Sequence, residues 1–544
     1  MSTCRAGYDL LPLTGSLIGG TNSLAGFGPS FGGIASGSAL GSGGGASGSL
    51  GGAFGMVGGS GGSGGAGAAG GSTGGMPAVG GGGVSVGGSS GPGGSNMFGG
   101  GAGAGSSGGS AGSSGAGAST SGGTGGVPVA PAGAPTMAWA KVFGGVNDDE
   151  VLSLSLDPQG DVVICGAFNG TSSFGGANFI ATVSDGFLAK YDASGNHLWS
   201  RQAMSPVFDS ADRVSTLGSS VAFSLSAQSG QITLGALQVN TGTGGGAFGV
   251  LNSAGQPQWL KSAVPSTGAN VSAFGSSQNR LYLYGAHTGN LDLGGNILMD
   301  ATLGSGFVAV FDPLGAFIGG SSIPGYYWNA VLDGPTNIIA VGREWDVSGH
   351  AALATYTQAG VLSGATSFTG NSHQEFDAAA MDANGNVYAV GFGAGNMFEF
   401  GGPTLSSAGG EDIIVASYTS ALSHRWSKSF GANSNDRANA VATDLAGNVY
   451  VVGQQFGVVN FGAGPCGAAG VSSMFLVSLT SNGTVRWSQC YVGTSGVAAV
   501  SVAADFSIYL GITLETTLDV LGQGFSPVGG AKSDAMILKL TPTP

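Results

Sequence analysis

Charged residues are scarce in this chain of 544 residues, and basic residues are the scarcest: 14 Lys and Arg stand against 28 Asp and Glu, giving a formal net charge of −14. Proteins that bind nucleic acid neutralise phosphates with many basic side chains. We therefore expect no nucleic-acid partner. The acidic excess is typical of a well-solvated surface, such as that of an extracellular protein.

Long apolar runs are also missing. No stretch of 18 consecutive apolar residues occurs, which excludes a transmembrane helix of ordinary length. Residues 1–4, Met-Ser-Thr-Cys, lack the basic start and the apolar core of a secretory signal peptide. The chain as written thus predicts neither a membrane span nor a standard export signal.

Motifs for catalysis or metal binding are missing too. The five histidines (His197, His287, His350, His373 and His424) show no His-x-x-x-His or Glu-x-x-His spacing, so we expect no zinc site. We expect His197 and His424, in turns before a strand, to be solvent-exposed. No Gly-x-Ser-x-Gly nucleophile elbow and no paired-carboxylate signature can be assigned. We predict no cofactor and no catalytic residues.

Glycine is distributed very unevenly. Residues 1–140 hold 52 of the 112 glycines, and apart from Arg5 and Asp9 they contain no charged residue or histidine. Such a Gly/Ser/Ala-rich segment has high conformational entropy and little apolar surface to offset it. We predict that residues 1–136 form a disordered tail and that residues 137–544 form the folded domain. That domain exceeds the usual size of one compact core, which favours a modular fold.

Cys4 precedes the tail. A cysteine followed by a low-complexity spacer and a folded domain resembles the layout of bacterial lipoproteins. A lipobox requires an apolar segment before the cysteine, and only three residues precede Cys4. Our hypothesis is that translation starts upstream and that Cys4 is the lipid attachment site. An incidental cysteine in an unexported chain is the open alternative, and an in-frame apolar segment in the upstream DNA would distinguish them.

The folded domain is built from repeats. Residues 192–199, Asp-Ala-Ser-Gly-Asn-His-Leu-Trp, combine a glycine turn with the start of a strand, and the pattern recurs at 252–259 and 480–487. The position four residues after the turn glycine marks seven units, at Trp139, Trp199, Trp259, Gly319, Gly364, Trp426 and Trp487. Their intervals are 60, 60, 60, 45, 62 and 61 residues.

Each unit contains four strand-like runs and no helical pattern. Two of the runs are joined by Asp-x-x-Gly turns, as at 157–160 and 444–447, where Asp caps the turn and Gly supplies a positive φ. No helix follows these glycines, so a phosphate-binding loop is not indicated. Repeated four-stranded antiparallel units are typical of a β-propeller, here all-β with seven blades.

The chain ends predict how the ring closes. The last unit lacks a Trp strand, whereas the strand near residues 137–143 has no preceding unit. We expect residues near 137–144 to pair with residues near 534–541 as the outer strand of the seventh blade. We expect the blade tryptophans (Trp139, Trp199, Trp259, Trp426 and Trp487) to be structural and wedged between neighbouring blades.

The repeats resemble the SBBP-type β-propeller repeats of bacterial cell-surface proteins. The pattern is Trp-x-Lys-x-Phe-Gly at 139–144, Gly-Asn-Val-Tyr-x-x-Gly at 385–391, Phe-Gly-Gly at 174–176, and an Asp-led strand and turn at 185–199. The match is strong in units one, five and six; unit four is short and lacks Phe-Gly-Gly. The resemblance implies an exported, surface-exposed propeller without assigned catalytic residues.

Cysteines and acidic residues have structural interpretations. We expect Cys165 to be a small buried hydrophobe, and we consider a Cys466–Cys490 disulfide as a hypothesis, since sequence cannot fix pairing. We interpret residues 148–150 and Asn435-Asp436 as solvated loops, with calcium binding as the weaker alternative. Asp185, Asp412 and Asp534 recur at one position and are interpreted as turn caps.

The function predicted from these features is binding or scaffolding at the bacterial surface or outer envelope, by a monomer whose ring-face loops engage a glycan, peptide or protein. Membrane association would come only through a lipid anchor. The alternatives are a polysaccharide lyase or hydrolase at the channel mouth and a passive spacer, which the fold alone does not separate. Quinoprotein propellers resemble the chain in fold, but their adjacent cysteine pair is missing.

Overall fold

The computed structural model describes residues 130–277, 280–299, 304–344, 349–368, 370, 373–395, 397–530 and 532–543. The regular secondary structure of these residues consists of β-strands. They contain no helix long and apolar enough to cross a membrane. Cys4 and the predicted tail up to residue 129 lie outside the described residues. The first strand, Gly133–Gly145, begins four residues before the predicted domain start.

The strands form seven four-stranded antiparallel blades, numbered here in the order of their inner strands. The inner strands are Asp149–Leu156, Asp209–Leu217, Gly268–Ser277, Tyr326–Asp333, Gln374–Met381, Arg437–Thr443 and Ser495–Val502. The second strands are Val162–Phe168, Ser220–Ala227, Arg280–Thr288, Ile338–Glu344, Val387–Ala394, Val449–Asn460 and Ile508–Leu514. The third strands are Asp185–Tyr191, Gly246–Leu251, Ser305–Phe311, Ala351–Tyr356, Glu411–Tyr418, Pro465–Leu479 and Asp534–Thr543. The outer strands of blades 1 to 6 are His197–Met204, Pro257–Pro265, Phe317–Pro324, Leu362–Ser367, His424–Phe430 and Val485–Val492.

The ring is closed by the N-terminal strand. Gly133–Gly145 is the outer strand of blade 7 and pairs with the third strand of that blade, with Met137 opposite Leu540 and Phe143 opposite Ala535. The inner strand of blade 7 packs against that of blade 1, as consecutive inner strands do around the ring. The predicted seven-bladed propeller and its closure are confirmed.

The ring has two faces. Inner strands begin at the first, where the connections between second and third strands form projecting segments that we call arms. The arms span residues 169–184, 228–245, 289–304, 395–410, 456–472 and 515–533 in blades 1, 2, 3, 5, 6 and 7. The arm of blade 6 includes the extended ends of its second and third strands. We call this side the arm face and the opposite side, which carries the Asp-x-x-Gly turns, the turn face. In blade 4 only six residues separate Glu344, the end of the second strand, from Ala351, the start of the third.

Short strands in several arms pair with the neighbouring blade. The arm strands are Thr171–Ser173, Phe179–Ile180, Ser229–Leu234, Leu237–Thr243, Leu291–Asp292, Ile297–Leu298, Leu518–Val520 and Gln523–Phe525. In blades 1, 2 and 3 the arm pairs with the outer strand of the preceding blade, as where Leu234 lies opposite Ala203. Each of these arms therefore links two blades.

The apolar core is distributed between blades. Seven clusters of buried apolar side chains occupy the seven blade boundaries. At the boundary of blades 7 and 1, Phe143 stacks on Tyr191 with ring centroids 4.8 Å apart. The second strands can be apolar on both sides because each lies between two such clusters.

Candidate functional site

Charged side chains gather on the arm face of blades 4 and 5, where inner strands begin. Glu375, in the inner strand of blade 5, is only 1% exposed. Its Oε1 accepts a hydrogen bond from Asn329 Nδ2 at 2.8 Å and lies 3.4 Å from Arg343 Nε, both in blade 4. His373 Nε2 lies 3.7 Å from Oε2 of the same glutamate. Glu375 thus joins two blades at the channel mouth.

A second charged group adjoins it from blade 6. Arg437 forms an ion pair with Glu411, and its Nη2 donates to Oε1 at 2.5 Å. The guanidinium lies 4.1 Å from the ring centroid of Phe392, and His373 approaches the same ring edge-on at 5.0 Å. Stacking on an aromatic ring fixes the plane of a guanidinium, which pre-organises its remaining donors.

These residues define the candidate site: Asn329, Arg343, Glu344, His350, His373, Glu375, Phe392, Glu411 and Arg437. The side chains of Arg343 and Arg437 are each 27% exposed, and His373 is 41% exposed, so the site is open to solvent. Glu344 lies 3.5 Å from His350 Nδ1. The arrangement offers hydrogen-bond donors and two His–Glu pairs at one rim of the channel. Within the described part of the chain, no three or more His, Cys, Asp and Glu are grouped so as to hold a metal ion.

Sequence reasoning did not find this site. Its residues come from six strands and two connections of three blades, and no local motif unites them. The one available signal was the presence of adjacent acidic and basic residues at 343–344 and 436–437 in a chain with 8% charged residues. Only the ring brings these segments together.

The arm face also carries most of the exposed aliphatic surface. Among the described residues, twelve of sixteen exposed large apolar side chains lie on arms or at strand ends on this face: Val146, Ile180, Val183, Met204, Ile297, Met299, Met397, Val458, Val471, Val492, Leu521 and Val528. The other four lie toward the turn face: Leu198, Leu314, Ile318 and Val361. All sixteen are Val, Ile, Leu or Met, and none is aromatic.

The blade tryptophans lie on outer strands and contact the next blade. In four of them, Nε1 donates a hydrogen bond to a backbone carbonyl of the next blade, in the turn between the third and outer strands of that blade. The pairs are Trp139 with Ala193 at 3.4 Å, Trp199 with Ser253 at 3.0 Å, Trp259 with Pro313 at 3.1 Å and Trp426 with Ser481 at 3.0 Å. This common contact accounts for the Trp and the turn glycine as parts of one inter-blade joint.

The basic residue two positions after the tryptophan reinforces the joint. Arg201 Nε donates to the carbonyl oxygen of Gly255 at 2.6 Å, and its Nη2 donates to that of Ala254 at 3.1 Å. Lys141 and Lys428 occupy the same position beside the turn glycines of their neighbouring blades. The Trp-x-Lys motif therefore contacts the turn of the neighbouring blade through both of its side chains.

Trp487 lacks this hydrogen bond because it faces blade 7, the blade that the N-terminal strand completes. Blade 7 has no turn between its third and outer strands, since these belong to opposite ends of the chain. Trp487 Nε1 accordingly finds no hydrogen-bond partner among the described residues, and its ring belongs to the apolar cluster against which Ala134 and Met137 pack. Arg486 donates instead to the carbonyl oxygen of Pro131, so the segment entering the first strand occupies the place of the missing turn.

The expectation that His197 and His424 are solvent-exposed was wrong. Both are partly buried, and burial lowers the pKa of each imidazole. They lie under the Phe-Gly-Gly turns of the arms: a Cβ on Gly176 or Gly402 would come within 2.8 or 2.1 Å of the imidazole ring. The second glycine is needed for this close approach.

The cysteines outside the tail are all described. Cys466, in the arm of blade 6, is disulfide-bonded to Cys490 in the outer strand of the same blade, with Cα atoms 5.6 Å apart. Cys165 is a buried free cysteine.

The interpretation of the acidic segments as solvated loops was also wrong in part. Asp149 and Asp436 are 0% exposed; Asp149 is the first residue of an inner strand and Asp436 immediately precedes one. Asp412 and Asp534 accept backbone N–H groups of the arms, from Ala408 and Val528, which agrees with the predicted capping role. These carboxyl groups nevertheless face other carboxyl groups across blade boundaries, a feature the sequence did not indicate.

No protein-family model matches the chain, and no curated protein matches it in sequence. Among solved structures it is similar to Sqt1 from Chaetomium thermophilum, with 10% identity and a TM-score of 0.36 over 74% of this chain and 98% of that chain. It is also similar to the V. cholerae biofilm matrix protein Bap1, with 12% identity and a TM-score of 0.12 over 74% of this chain and 69% of that chain. Neither likeness bears on function, and the seven-bladed ring is established from the strand pairing of this chain.

Proposed function

We propose that this propeller is a binding or scaffold protein of the SBBP-repeat type, exported to the bacterial surface, that engages a peptide or protein through its arm face. The observation that carries this proposal is the concentration of exposed aliphatic side chains on the arms. Exposed apolar patches rimmed by polar residues are typical of protein interaction sites. The charged rim around Glu375 and Arg437 supplies the polar part of such a surface.

The position of the chain ends is consistent with display on a tether. Gly133 and Thr543 are paired at the turn face, opposite the arms. A tail anchored through Cys4 would therefore join the propeller on the face opposite the arms. Protease treatment of intact native cells tests export: we expect cleavage of the propeller without lysis, and full protection would contradict surface display.

The binding proposal is tested with a displayed peptide library and a glycan array, both probed with the purified full chain. We expect selected peptides to bind and to lose at least tenfold in affinity in the variant Ile180→Lys/Met299→Lys/Met397→Lys. The matched control, Leu314→Lys/Val361→Lys, changes apolar residues of the turn face and should leave binding unchanged. Binding to glycans alone, or equal loss in both variants, would contradict the proposal.

An enzyme is the second candidate, favoured by the two His–Glu pairs at the channel rim. A carboxylate can orient a histidine as a general base, as polysaccharide cleavage at the mouth would require. Release of reducing ends from bacterial polysaccharides by the full chain, abolished in His373→Ala, would support it. Turnover that persists in that variant would contradict a role for this histidine.

A further inference from the structure

Three blade boundaries contain the same arrangement of two aspartates. One lies at the start of a third strand, and the other lies at the start of the next blade's inner strand. The pairs are Asp534 with Asp149, Asp185 with Asp209, and Asp412 with Asp436. A backbone hydrogen bond accompanies each pair, from the N–H of the inner-strand aspartate to Ser533, Ser184 or Glu411, at 2.9, 3.1 and 2.6 Å.

All six aspartates are buried, at 0 to 5% exposure. Across the described ranges, none of them forms an ion pair with Lys, Arg or His. The other charged groups nearby are Asp148, which faces Asp534, and the Glu411–Arg437 ion pair, whose members adjoin Asp412 and Asp436 in the chain. The pair Asp185–Asp209 is surrounded by the uncharged Gln202 and Ser205.

Each pair leaves one carboxylate oxygen without a partner. Backbone N–H groups occupy the companion oxygen, from Gly186 to Asp209 Oδ1 at 3.1 Å and from Ala408 to Asp412 Oδ2 at 2.8 Å. Asp209 Oδ2, Asp412 Oδ1 and Asp534 Oδ1 have no hydrogen-bond partner. The unpartnered oxygen belongs to the inner-strand aspartate in the pair Asp185–Asp209 and to the third-strand aspartate in the other two pairs. A buried oxygen without a donor is costly.

A proton is the smallest group that satisfies this arrangement. At the closure, Asp534 Oδ1 and Asp149 Oδ2 both border Gly144, at 2.0 and 2.7 Å from the position that a Cβ on this glycine would occupy. Two carboxylates buried close together cannot both ionise without a large cost, and one proton on such a pair gives the free oxygen a hydrogen bond. Burial is the main cause that raises the pKa of Asp149 to about 7, that of Asp209 to about 9, and those of Asp436 and Asp534 to about 6. Burial likewise raises the pKa values of Asp185 and Asp412.

We propose that each of these three aspartate pairs holds one shared proton, so that acid strengthens the blade boundaries and a rise in pH loosens the ring. A carboxyl group whose pKa is higher in the folded than in the unfolded state stabilises the fold below its unfolded pKa, and this contribution is lost as the pH rises through the folded value. The loss therefore begins near pH 4 and continues through about 6 to 9, where the folded groups titrate.

The boundary of blades 6 and 7 provides a neutral counterpart. Ser473 and Ser495 stand at the two positions that the aspartates occupy elsewhere, and both are buried. The fold therefore accepts an uncharged pair at this position. The aspartates add a pH response that serines would not.

The experiment measures the unfolding equilibrium of the full chain by denaturant titration from pH 4 to pH 9. For the wild type we expect the unfolding constant to rise by up to about tenfold per pH unit for each pair between pH 4 and 6. In Asp209→Asn/Asp412→Asn/Asp534→Asn, the amide donates the missing hydrogen bond at every pH. The slope of the logarithm of the unfolding constant against pH, which counts the protons released on unfolding, should be smaller by up to three in this variant. The variant should also be more stable than the wild type at pH 8.

Controls separate these pairs from other groups. Glu150 and Asp212 also have pKa values raised by burial, to about 7 and about 6, so the difference between variants is decisive rather than the wild-type slope. Asp192→Asn changes an exposed turn aspartate whose pKa is lowered by the turn's hydrogen bonds, and it should keep the wild-type slope above pH 4. If the asparagine variant does not fold, Asp412→Ser/Asp436→Ser reproduces the serine pair and should remove about one proton from the slope.

An unchanged slope in these variants would overturn the proposal. A calcium titration at pH 8 gives a second decisive outcome. Calcium that stabilises the wild type but not the asparagine variant would show that the pairs hold a cation and not a proton, which would also overturn it. No effect of calcium, together with the reduced slope, is the expected result.

Discussion

The indole of Trp199 and the turn glycine Gly255 belong to adjacent blades, and no Cβ fits between them. A Cβ built on Gly255 would lie 2.6 Å from the indole ring, and the backbone φ of this glycine is 71°. Glycine thus meets a conformational and a steric requirement at one position. The same contact recurs at Gly195, Gly315 and Gly483 under Trp139, Trp259 and Trp426.

An exception supports this account. Gly364 replaces the tryptophan in blade 4, and the facing turn position in blade 5 is Leu422, with φ of 60°. Leu422 packs against the apolar cluster between blades 4 and 5. At this boundary, where no indole approaches, the turn position carries a side chain.

Truncation of the joint should be costly. Trp199 is 7% exposed, so Trp199→Ala should lower the free energy of unfolding by about 3–5 kcal/mol through lost contacts and a cavity. Denaturant titration measures this, and exposed Leu198→Ala serves as the adjacent control with a small effect. A loss under about 1 kcal/mol for Trp199→Ala would contradict the role of this residue as a joint.

The steric part of the glycine requirement can be isolated. Gly218→Ala places a methyl group at φ of 59° with nothing within 4 Å, so it measures backbone strain alone, about 1 kcal/mol. Gly255→Ala adds a clash with Trp199 and should cost about 1–3 kcal/mol more. In Trp199→Ala/Gly255→Ala the clash disappears, so the two costs should sum to more than the double variant loses. Equal effects of the two glycine variants would refute the clash.

Ring closure depends on the N-terminal strand. Deletion of residues 137–143 removes the outer strand of blade 7 and exposes the apolar cluster between blades 6 and 7. We expect the single cooperative melting transition to be lost, as followed by circular dichroism and calorimetry. Deletion of the seven tail residues 60–66 is the length-matched control and should leave the transition in place. A deletion of 137–143 that melts like the wild type would rule out this closure.

The disulfide between Cys466 and Cys490 encloses a sequence separation of 24 residues. A loop of this order contributes about 3 kcal/mol to stability in the chain-entropy model, so reduction or Cys490→Ser should lower the melting temperature. Cys165→Ala is the control: it retains the bond, so reduction should lower its melting temperature as in the wild type, whereas Cys490→Ser should not respond to reductant. Thiol titration under denaturing conditions should find two free thiols before reduction and four after it; four before reduction would exclude the bond.

A buried ion pair in blade 1 replaces a hydrogen bond found in other blades. Lys190 Nζ lies 2.6 Å from Asp157 and 3.1 Å from Asp161, with the lysine and Asp157 almost fully buried. Lys190→Met leaves these carboxylates unpaired and should cost about 3–5 kcal/mol. Denaturant titration checks this, and a cost below about 1 kcal/mol would mean that the pair contributes little.

Blades 5 and 6 suggest a substitution that should restore the stability lost in Lys190→Met. There a tyrosine hydroxyl donates to the equivalent aspartate, as Tyr388 does to Asp382 at 2.9 Å, with Ser417 in place of the lysine. Val163→Tyr/Lys190→Ser transfers this arrangement to blade 1 and should recover part of the stability lost in Lys190→Met. No recovery would show that the two arrangements are not interchangeable.

The fold was largely predictable because its signals are local. The Asp-x-x-Gly turns and the alternation of four β-rich runs at intervals near 60 residues specify the blade, and the unmatched chain ends specify its closure. The candidate site was not predictable, because Arg343, Glu375 and Arg437 are separated in the chain and meet only at the rim of the ring. His197 was misjudged for the same reason, since the arm that covers it comes from an adjoining connection.

By itself, the sequence determined the number of blades and the antiparallel strands within each, because these depend on the spacing of local patterns. Only the tertiary structure decided what each repeated residue contacts. Trp199 donates to Ser253 across a blade boundary, and Asp149 meets Asp534 across the closure. Such contacts join residues of different blades, and the energy of burying them depends on the ring as a whole rather than on any local pattern.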